Sequence, residues 1–285
     1  MQIQQLNEIF KAKLTDEEFR KLSDFIFREY GIKMPPVKKI MLQSRLQKRL
    51  RELNMSNFKE YVEFVFSKEG QDNEVIHMID VVSTNKTDFF REPVHFEFMT
   101  DVAIPEFVEE NRGKGTLKIW SAGSSSGEEA YTIAMTMSEN KEKYPGLDFS
   151  ILGTDISSRI LQTAVEAIYK EARIEGIPLT LKRKYFLKSK DQTNPTVRII
   201  PELRRKASFA RLNFMDNTYN INETFDIIFC RNVLIYFDRE TQEKVINKLC
   251  NKLKPNGIFF LGHSESITSM QVPLKQIKPT IFRKI

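Results

Sequence analysis

From residue 117 onward the chain alternates short apolar runs with longer stretches of helical periodicity, and a loop of small residues joins the first run to the first helix. Apolar runs occupy residues 117–121, 149–154, 225–230 and 258–261, with a late one near residues 280–283. Runs this short and this continuously apolar read as strands covered on both faces. Helical periodicity fills the gaps at about residues 127–139, 157–167 and 238–253, the last with Val245, Ile246, Leu249 and Leu253 on one side. The alternation predicts a parallel, doubly wound α/β sheet. It breaks between about residues 183 and 211, where a polar turn at 190–194, a β-prone stretch at 197–200 and a strand-like one at 207–212 predict a small antiparallel insertion.

The chain before this region reads as helical. Thr15 and Glu18 have capping-box spacing, Phe19, Leu22, Phe25 and Ile26 follow on one face, and Gly31 with the Pro35-Pro36 pair ends that helix. Residues 37–53 predict a second helix with Leu42, Leu46, Leu50 and Leu53 on one side, while Lys38, Arg45, Lys48 and Arg49 share an adjoining arc of roughly 100°. Two more helices are marked by Phe58, Tyr61, Val62 and Val65, and by Val75, Ile76, Ile79 and Val82, with polar starts at Ser56 or Asn57 and at Asp72. The expected organisation is a helical domain over residues 1–82, a connecting segment over 83–115, and an α/β domain over 116–285 that carries the insertion at about 183–211.

Charge is concentrated in one place. Of the formal +6, most comes from Lys38, Lys39, Arg45, Lys48, Arg49 and Arg51, set against the single Glu52 in the second helix. This predicts one local electrostatic contact rather than a general affinity for nucleic acid. Hydrophobic residues at 41% and charged residues at 29% fit a globular protein, and no run approaches the roughly 18 apolar residues of a membrane span. The first residues lack a basic start leading into a long apolar segment, so the cytoplasm is the expected compartment. The two cysteines, Cys230 and Cys250, fall in a strand and on the apolar side of a helix, where buried thiols are expected and neither a metal nor redox work is.

Several segments carry polar groups whose pattern implies chemistry. Ser121, Ala122, Gly123, Ser124, Ser125, Ser126 and Gly127 join a strand to a helix, and their small size lets a ligand approach the backbone. Glu128 and Glu129 at the helix start would repel a pyrophosphate and suit a cationic ligand such as S-adenosylmethionine. Asp155 ends the next strand, where a carboxylate accepts from ribose hydroxyls, although in isolation such a residue is more often a helix cap. Asn213 and Phe214 follow a strand-like run, placed to bond an adenine edge and pack beside it. Arg231, Asn232 and Tyr236 stand at the carboxyl end of the most apolar strand, where an idle polar pair is costly to bury. Asn85, Thr87 and Arg91 lie in the connecting segment; on spacing alone they belong to a plain helix start.

Taken together, these segments resemble the bacterial chemotaxis receptor methyltransferases, the CheR family. The resemblance runs from the basic helix at 41–51 through 84–92, 120–129, Thr154-Asp155, 230–237 and 253–257 to Gly262, His263, Ser264 and Glu265. Departures are mild: Ala130 stands where many relatives have proline, and Ser124 and Ser126 vary the small-residue loop. The resemblance implies an all-helical N-terminal domain followed by a Rossmann-like methyltransferase domain with a small β-subdomain inserted. It implies that Asn85, Thr87, Arg91, Glu129, Asp155, Asn213, Phe214, Arg231 and Asn232 line the site for S-adenosylmethionine, with S-adenosylhomocysteine as product and no metal. The implied substrate is the glutamate side chains on the cytoplasmic helical bundle of methyl-accepting chemoreceptors. Only some relatives hold a receptor C-terminal peptide at the β-subdomain, so the resemblance leaves that contact open.

A glutamate carboxylate is ionised at neutral pH and needs no general base, so His77, His95 and His263 need not be catalysts. Arg91 and Tyr236 are the expected catalytic candidates, orienting the carboxylate or closing the site. Arg45, Lys48, Arg49 and Arg51 are expected to meet an acidic receptor surface; on the residues alone they make a solvated helix face. Two other classes compete: a methyltransferase acting on a small molecule or nucleic acid, and a cofactor-binding module without turnover. The absence of a long basic, aromatic groove weighs against a polynucleotide, and the Arg231, Asn232 and Tyr236 set weighs against loss of turnover.

Overall fold

In the computed structural model, which describes residue 9 and residues 11–285, the capping box at Thr15 opens the first helix, α1 (Asp16–Tyr30). The Thr15 hydroxyl accepts from the Glu18 amide, the Glu18 carboxylate accepts from the Thr15 amide, and Gly31 closes the helix at a φ of 68°. A 3₁₀ turn at Pro36–Lys38 leads into α2 (Lys39–Leu53), followed by α3 (Phe58–Phe66), a π-helical turn at Gly70–Glu74 and α4 (Val75–Val82). The apolar faces read from the sequence meet here: Leu22, Ile26, Leu42, Leu46, Leu50, Tyr61, Val65, Met78 and Ile79 form one closed core.

The expected connecting segment is only partly a connection. Helices α5 (Val94–Phe98) and α6 (Ile104–Glu110), joined by a π-helical turn at Met99–Ala103, pack Phe96, Phe98, Met99, Ile104 and Phe107 into the core of the α/β domain. Its chain then runs β1 (Gly115–Ala122), α7 (Glu128–Lys143), β2 (Leu147–Asp155), α8 (Ser158–Glu166) and β3 (Ile168–Lys170). There follow α9 (Leu179–Tyr185), β4 (Phe186–Lys188), β5 (Thr196–Ile199), α10 (Pro201–Arg204), β6 (Ala207–Arg211) and β7 (Phe225–Cys230). The last elements are α11 (Arg239–Cys250), β8 (Leu253–Leu261), β9 (Leu274–Lys278) and β10 (Ile281–Lys284).

Seven strands form one sheet in the order β6-β2-β1-β7-β8-β10-β9, parallel except for the β8–β10–β9 end. Successive residues alternate between its faces. Ile119, Ile227, Phe229 and Phe260 pack with α5 to α7, whereas Trp120, Ile228 and Phe259 pack with α11. Strand β9 escaped the sequence reading because it is a polar edge, exposed along most of its length.

The insertion is a three-stranded antiparallel sheet in the order β3-β5-β4. It corrects the expected range of 183–211 at both ends. It begins at β3, too short to show a pattern, and it ends at Ile199; the strand-like residues beyond 207 are β6, paired in parallel with β2. An isolated strand-like pentapeptide does not say which sheet it joins, and that depends on which unpaired strand edge lies beside it.

Candidate functional site

Strand order reverses at β1, with β2 on one side and β7 on the other, so a crevice opens at their carboxyl ends. It has two lobes. A polar lobe is lined by Thr87, Arg91, Phe96, Glu129, Arg231 and Asn232 among others. An apolar lobe is lined by Tyr30, Ile32, Met34, Met41, Phe214 and Phe237 among others. Thr84, Asn85, Gly123, Asp155, Val233 and Tyr236 line both.

The loop after β1 makes the crevice possible. Gly123 has φ 88°, and a Cβ there would lie 2.6 Å from a Val233 methyl. Gly127 has φ 92°, and a Cβ there would lie 2.9 Å from that of Ala164. Between them the Ser125 amide donates to Asp155 Oδ2 at 2.9 Å, while Asp155 Oδ1 accepts from the Ser157 amide at 3.0 Å. Each oxygen thus keeps capacity for a ligand donor, and burial pushes the Asp155 carboxyl above its ordinary range against the pull of these amides.

The two glutamates that start α7 part company. Glu128 is turned away, accepting from Ser126 Oγ at 2.6 Å and pairing with Arg173 at 2.7 Å. Glu129 faces the polar lobe, accepts from Ser121 Oγ at 2.7 Å, and has its carboxyl pushed up by burial against the opposing pull of Arg231. Arg231 is buried and lies over the rings of Phe96 and Phe229. Its Nη2 donates to the Arg91 carbonyl at 2.5 Å, and Nε stands 3.5 Å from Glu92 Oε2 and 3.6 Å from Glu129 Oε2. Its Nε and Nη1 have no hydrogen-bond partner among the described residues. Orphaned guanidinium donors next to buried carboxylates fit a zwitterionic amino-acid group.

Residues of the connecting segment line the crevice. Ser125 Oγ donates to the Asn85 carbonyl at 3.2 Å, Thr87 is buried with its carbonyl held by Arg173, and Arg91 Nη1 donates to the Lys86 carbonyl at 3.2 Å. Tyr236 follows Asn232 on a short 3₁₀ turn, and burial raises its phenol.

Other expected residues are placed differently. Asn213 lines the apolar lobe, but Nδ2 donates to the Glu29 carbonyl at 2.8 Å and Oδ1 accepts from the Met215 amide at 3.0 Å. Its amide joins the helical domain to the wall of the lobe, and Nδ2 and Oδ1 each keep capacity for one further hydrogen bond. On α2 the exposed positions are Ile40, Ser44, Lys48 and Glu52, not the arc with Arg45 and Arg49. Arg49 is buried, with Nε and Nη2 donating to Glu74 at 2.8 and 2.6 Å, so it does not face a partner. Arg45 is turned toward the connecting segment, with Nη1 donating to the Ser83 carbonyl at 3.1 Å. A helical wheel shows an arc but not what packs against it.

Sequence reasoning also missed Glu92 and Glu265. Glu92 Oε1 accepts from Asn232 Nδ2 at 3.3 Å and the His263 amide at 3.2 Å. Glu265 accepts four backbone N–H bonds, from Asn232 (2.9 Å) and Gly262 (2.7 Å) on Oε2 and from Val233 (2.9 Å) and Leu234 (2.7 Å) on Oε1. It ties down the loop that carries Asn232 and Tyr236. Glu92, His95 and His263 bring three ligand-type atoms within 4.8 Å of one another. The Arg231 guanidinium already supplies the positive charge at that Glu92 oxygen. His95 is kept neutral, its pKa depressed to about 3 by burial and then by Arg231.

A reversed parallel sheet, a glycine-opened first turn and buried carboxylates after β1 and β2 define a Rossmann-like methyltransferase dependent on S-adenosylmethionine. Within that class, the chain belongs to the CheR methyltransferase family. The family model for the CheR methyltransferase all-alpha domain matches residues 17–83, and that for the SAM binding domain matches residues 85–282. The chain is similar to the chemotaxis protein methyltransferase of Borreliella burgdorferi, 38% identical over 274 residues that cover 95% of each chain. It is also similar to the chemotaxis protein methyltransferase of Escherichia coli, 34% identical over 261 residues, covering 92% of this chain and 88% of that one. No helix among the described residues is long and apolar enough to cross a membrane.

Proposed function

We propose that the chain methylates glutamate side-chain carboxylates of chemoreceptors in the cytoplasm, forming glutamyl methyl esters. The observation that carries this reading is the polar lobe, in which Glu129 Oε2 stands 3.6 Å from Arg231 Nε, Arg231 Nε and Nη1 have no hydrogen-bond partner among the described residues, and buried Asp155, Arg91 and Tyr236 line the same cavity. The bound cofactor supplies an electrophilic sulfonium methyl group. Glu129 and Asn232 would receive its amino-acid end with Arg231, and Asp155 would take the ribose. Asn85, Thr87 and Arg91 cover it, while Phe214, Tyr30, Met34 and Met41 provide an apolar slot for the adenine.

Acceptor chemistry follows from what the lobe contains. A glutamate carboxylate arrives ionised, so the site has no proton to remove, and the neutral imidazole of His95 is spent on a 2.8 Å bond to Thr280. Because the acceptor is anionic and the methyl donor cationic, the protein's part would be to exclude water and to align the carboxylate, the work assigned to Arg91 and Tyr236. Docking falls to the exposed stripe that runs from Val37, on the 3₁₀ turn before α2 and 85% exposed, through Ile40, 80% exposed, to Lys48, with Arg51 about one turn further on. An apolar pair next to basic side chains suits an acidic amphipathic helix.

Transfer of labelled methyl to receptor-rich membranes tests the proposal. Base-labile label that leaves as methanol is expected; base-stable label, or label in a small molecule or nucleic acid, would overturn it.

A further inference from the structure

On α2, Arg45 is turned along the domain boundary, and its guanidinium engages three consecutive residues. Nη1 donates to the Val82 carbonyl, to the Ser83 carbonyl at 3.1 Å and toward Thr84 Oγ1 at 3.4 Å, while Nη2 reaches the same hydroxyl at 3.3 Å. Val82 is the last residue of α4, so a fixed cation caps the negative end of that helix. Thr84 and Asn85, the next residues, line both lobes of the crevice.

The contacts continue inward. Ser125 Oγ donates to the Asn85 carbonyl at 3.2 Å, and the Ser125 amide donates to Asp155 Oδ2 at 2.9 Å. A hydrogen-bonded path therefore runs from α2 through Arg45, residues 82–85 and Ser125 to a carboxylate of the cofactor site.

We propose that Arg45 is a positioning residue of the cofactor site: it fixes the segment that covers the crevice and couples that segment to the helix on which a partner docks. The coupling to a partner rests on the function proposed above; the effect on the cofactor does not. Because coupling is reciprocal, a partner that presses on α2 tightens the cover, and a bound cofactor orders the docking helix.

Calorimetric titration of the full-length protein with S-adenosylhomocysteine tests this without any receptor. Arg45→Ala is expected to weaken binding about tenfold, the worth of one charge-assisted hydrogen bond. Arg45→Lys should recover part of the loss, and Lys59→Ala, at an exposed position on α3, should bind as wild type. Thr84→Val should weaken binding by a smaller factor, and in the Arg45→Ala background should add little. Binding of Arg45→Ala within twofold of wild type, with only the receptor KM raised, would overturn the proposal and make Arg45 a docking residue. So would full additivity of the two substitutions. Where Arg45→Ala fails to melt cooperatively, amide exchange of residues 82–88 in Arg45→Lys decides: faster exchange there alone supports the proposal, and unchanged exchange overturns it. Normal loss of cofactor binding without base-labile receptor label would sink the glutamate reading and leave this inference standing.

Discussion

Glu129 and Asp155 are carboxyls whose burial makes ionisation costly in the free protein. A cationic ligand stabilises the ionised form, so its binding lowers both pKa values and releases protons. The sign follows: affinity is full above the raised free-state pKa values and falls as pH drops through them. Titration with S-adenosylmethionine from pH 8 to pH 5 should show weaker binding toward acid, by up to about tenfold per pH unit for each proton taken up. A flat profile would mean that the carboxyls are not the cation's counter-charges. Arg49 shows the other use of a buried charge. It and Tyr61 satisfy Glu74, which is 2% exposed, so Arg49→Ala leaves a carboxylate buried without its cation. Urea unfolding should report a loss of about 3 to 5 kcal/mol, with the receptor interaction secondary.

Among the elements, the loop after β7 shows most clearly how a strand end becomes a site. Its backbone turns through Asn232 at φ 58° and has no ladder partner, so its amides would be orphans without the Glu265 carboxylate. Glu265→Gln keeps the shape but sets an amide N–H₂ against backbone N–H groups. It should cost about 2 to 4 kcal/mol and lower kcat more than it raises the cofactor KM, as denaturant unfolding and initial rates would show. Wild-type kcat in this variant would assign Glu265 to stability alone. Much at this scale was legible: the capping box, the apolar helical faces and the main parallel strands follow from local chemistry and periodicity. The insertion was displaced because β3 spans only Ile168–Lys170 and because β6 joins β2, a pairing set by a distant edge.

The two domains meet at the crevice, so cofactor affinity is a property of the whole molecule. Tyr30, Ile32, Met34 and Met41 from the helical domain face Phe214 and Phe237 from the α/β domain, and Asn213 bonds across the boundary to Glu29. A ligand held by both domains stabilises them together, by about 2.7 kcal/mol at a hundredfold excess over Kd. Calorimetry with S-adenosylhomocysteine should show one cooperative transition, shifted upward, where the free protein shows separate or broader melting; two unshifted transitions would place the ligand on one domain only. The sequence by itself determined the helical and α/β halves, the glycine-opened turn, the acidic residues at the ends of β1 and β2, and the family. Those features depend on neighbours within a few residues, and local spacing carries them. Only the tertiary structure decided that Arg49 is buried, that Arg45 holds the start of the connecting segment, that Asn213 ties the domains together, and that Glu92 and Glu265 serve the site. Each of those outcomes depends on a partner far away in the chain, because a side chain's role is set by what burial removes from water and what remains to pair with it.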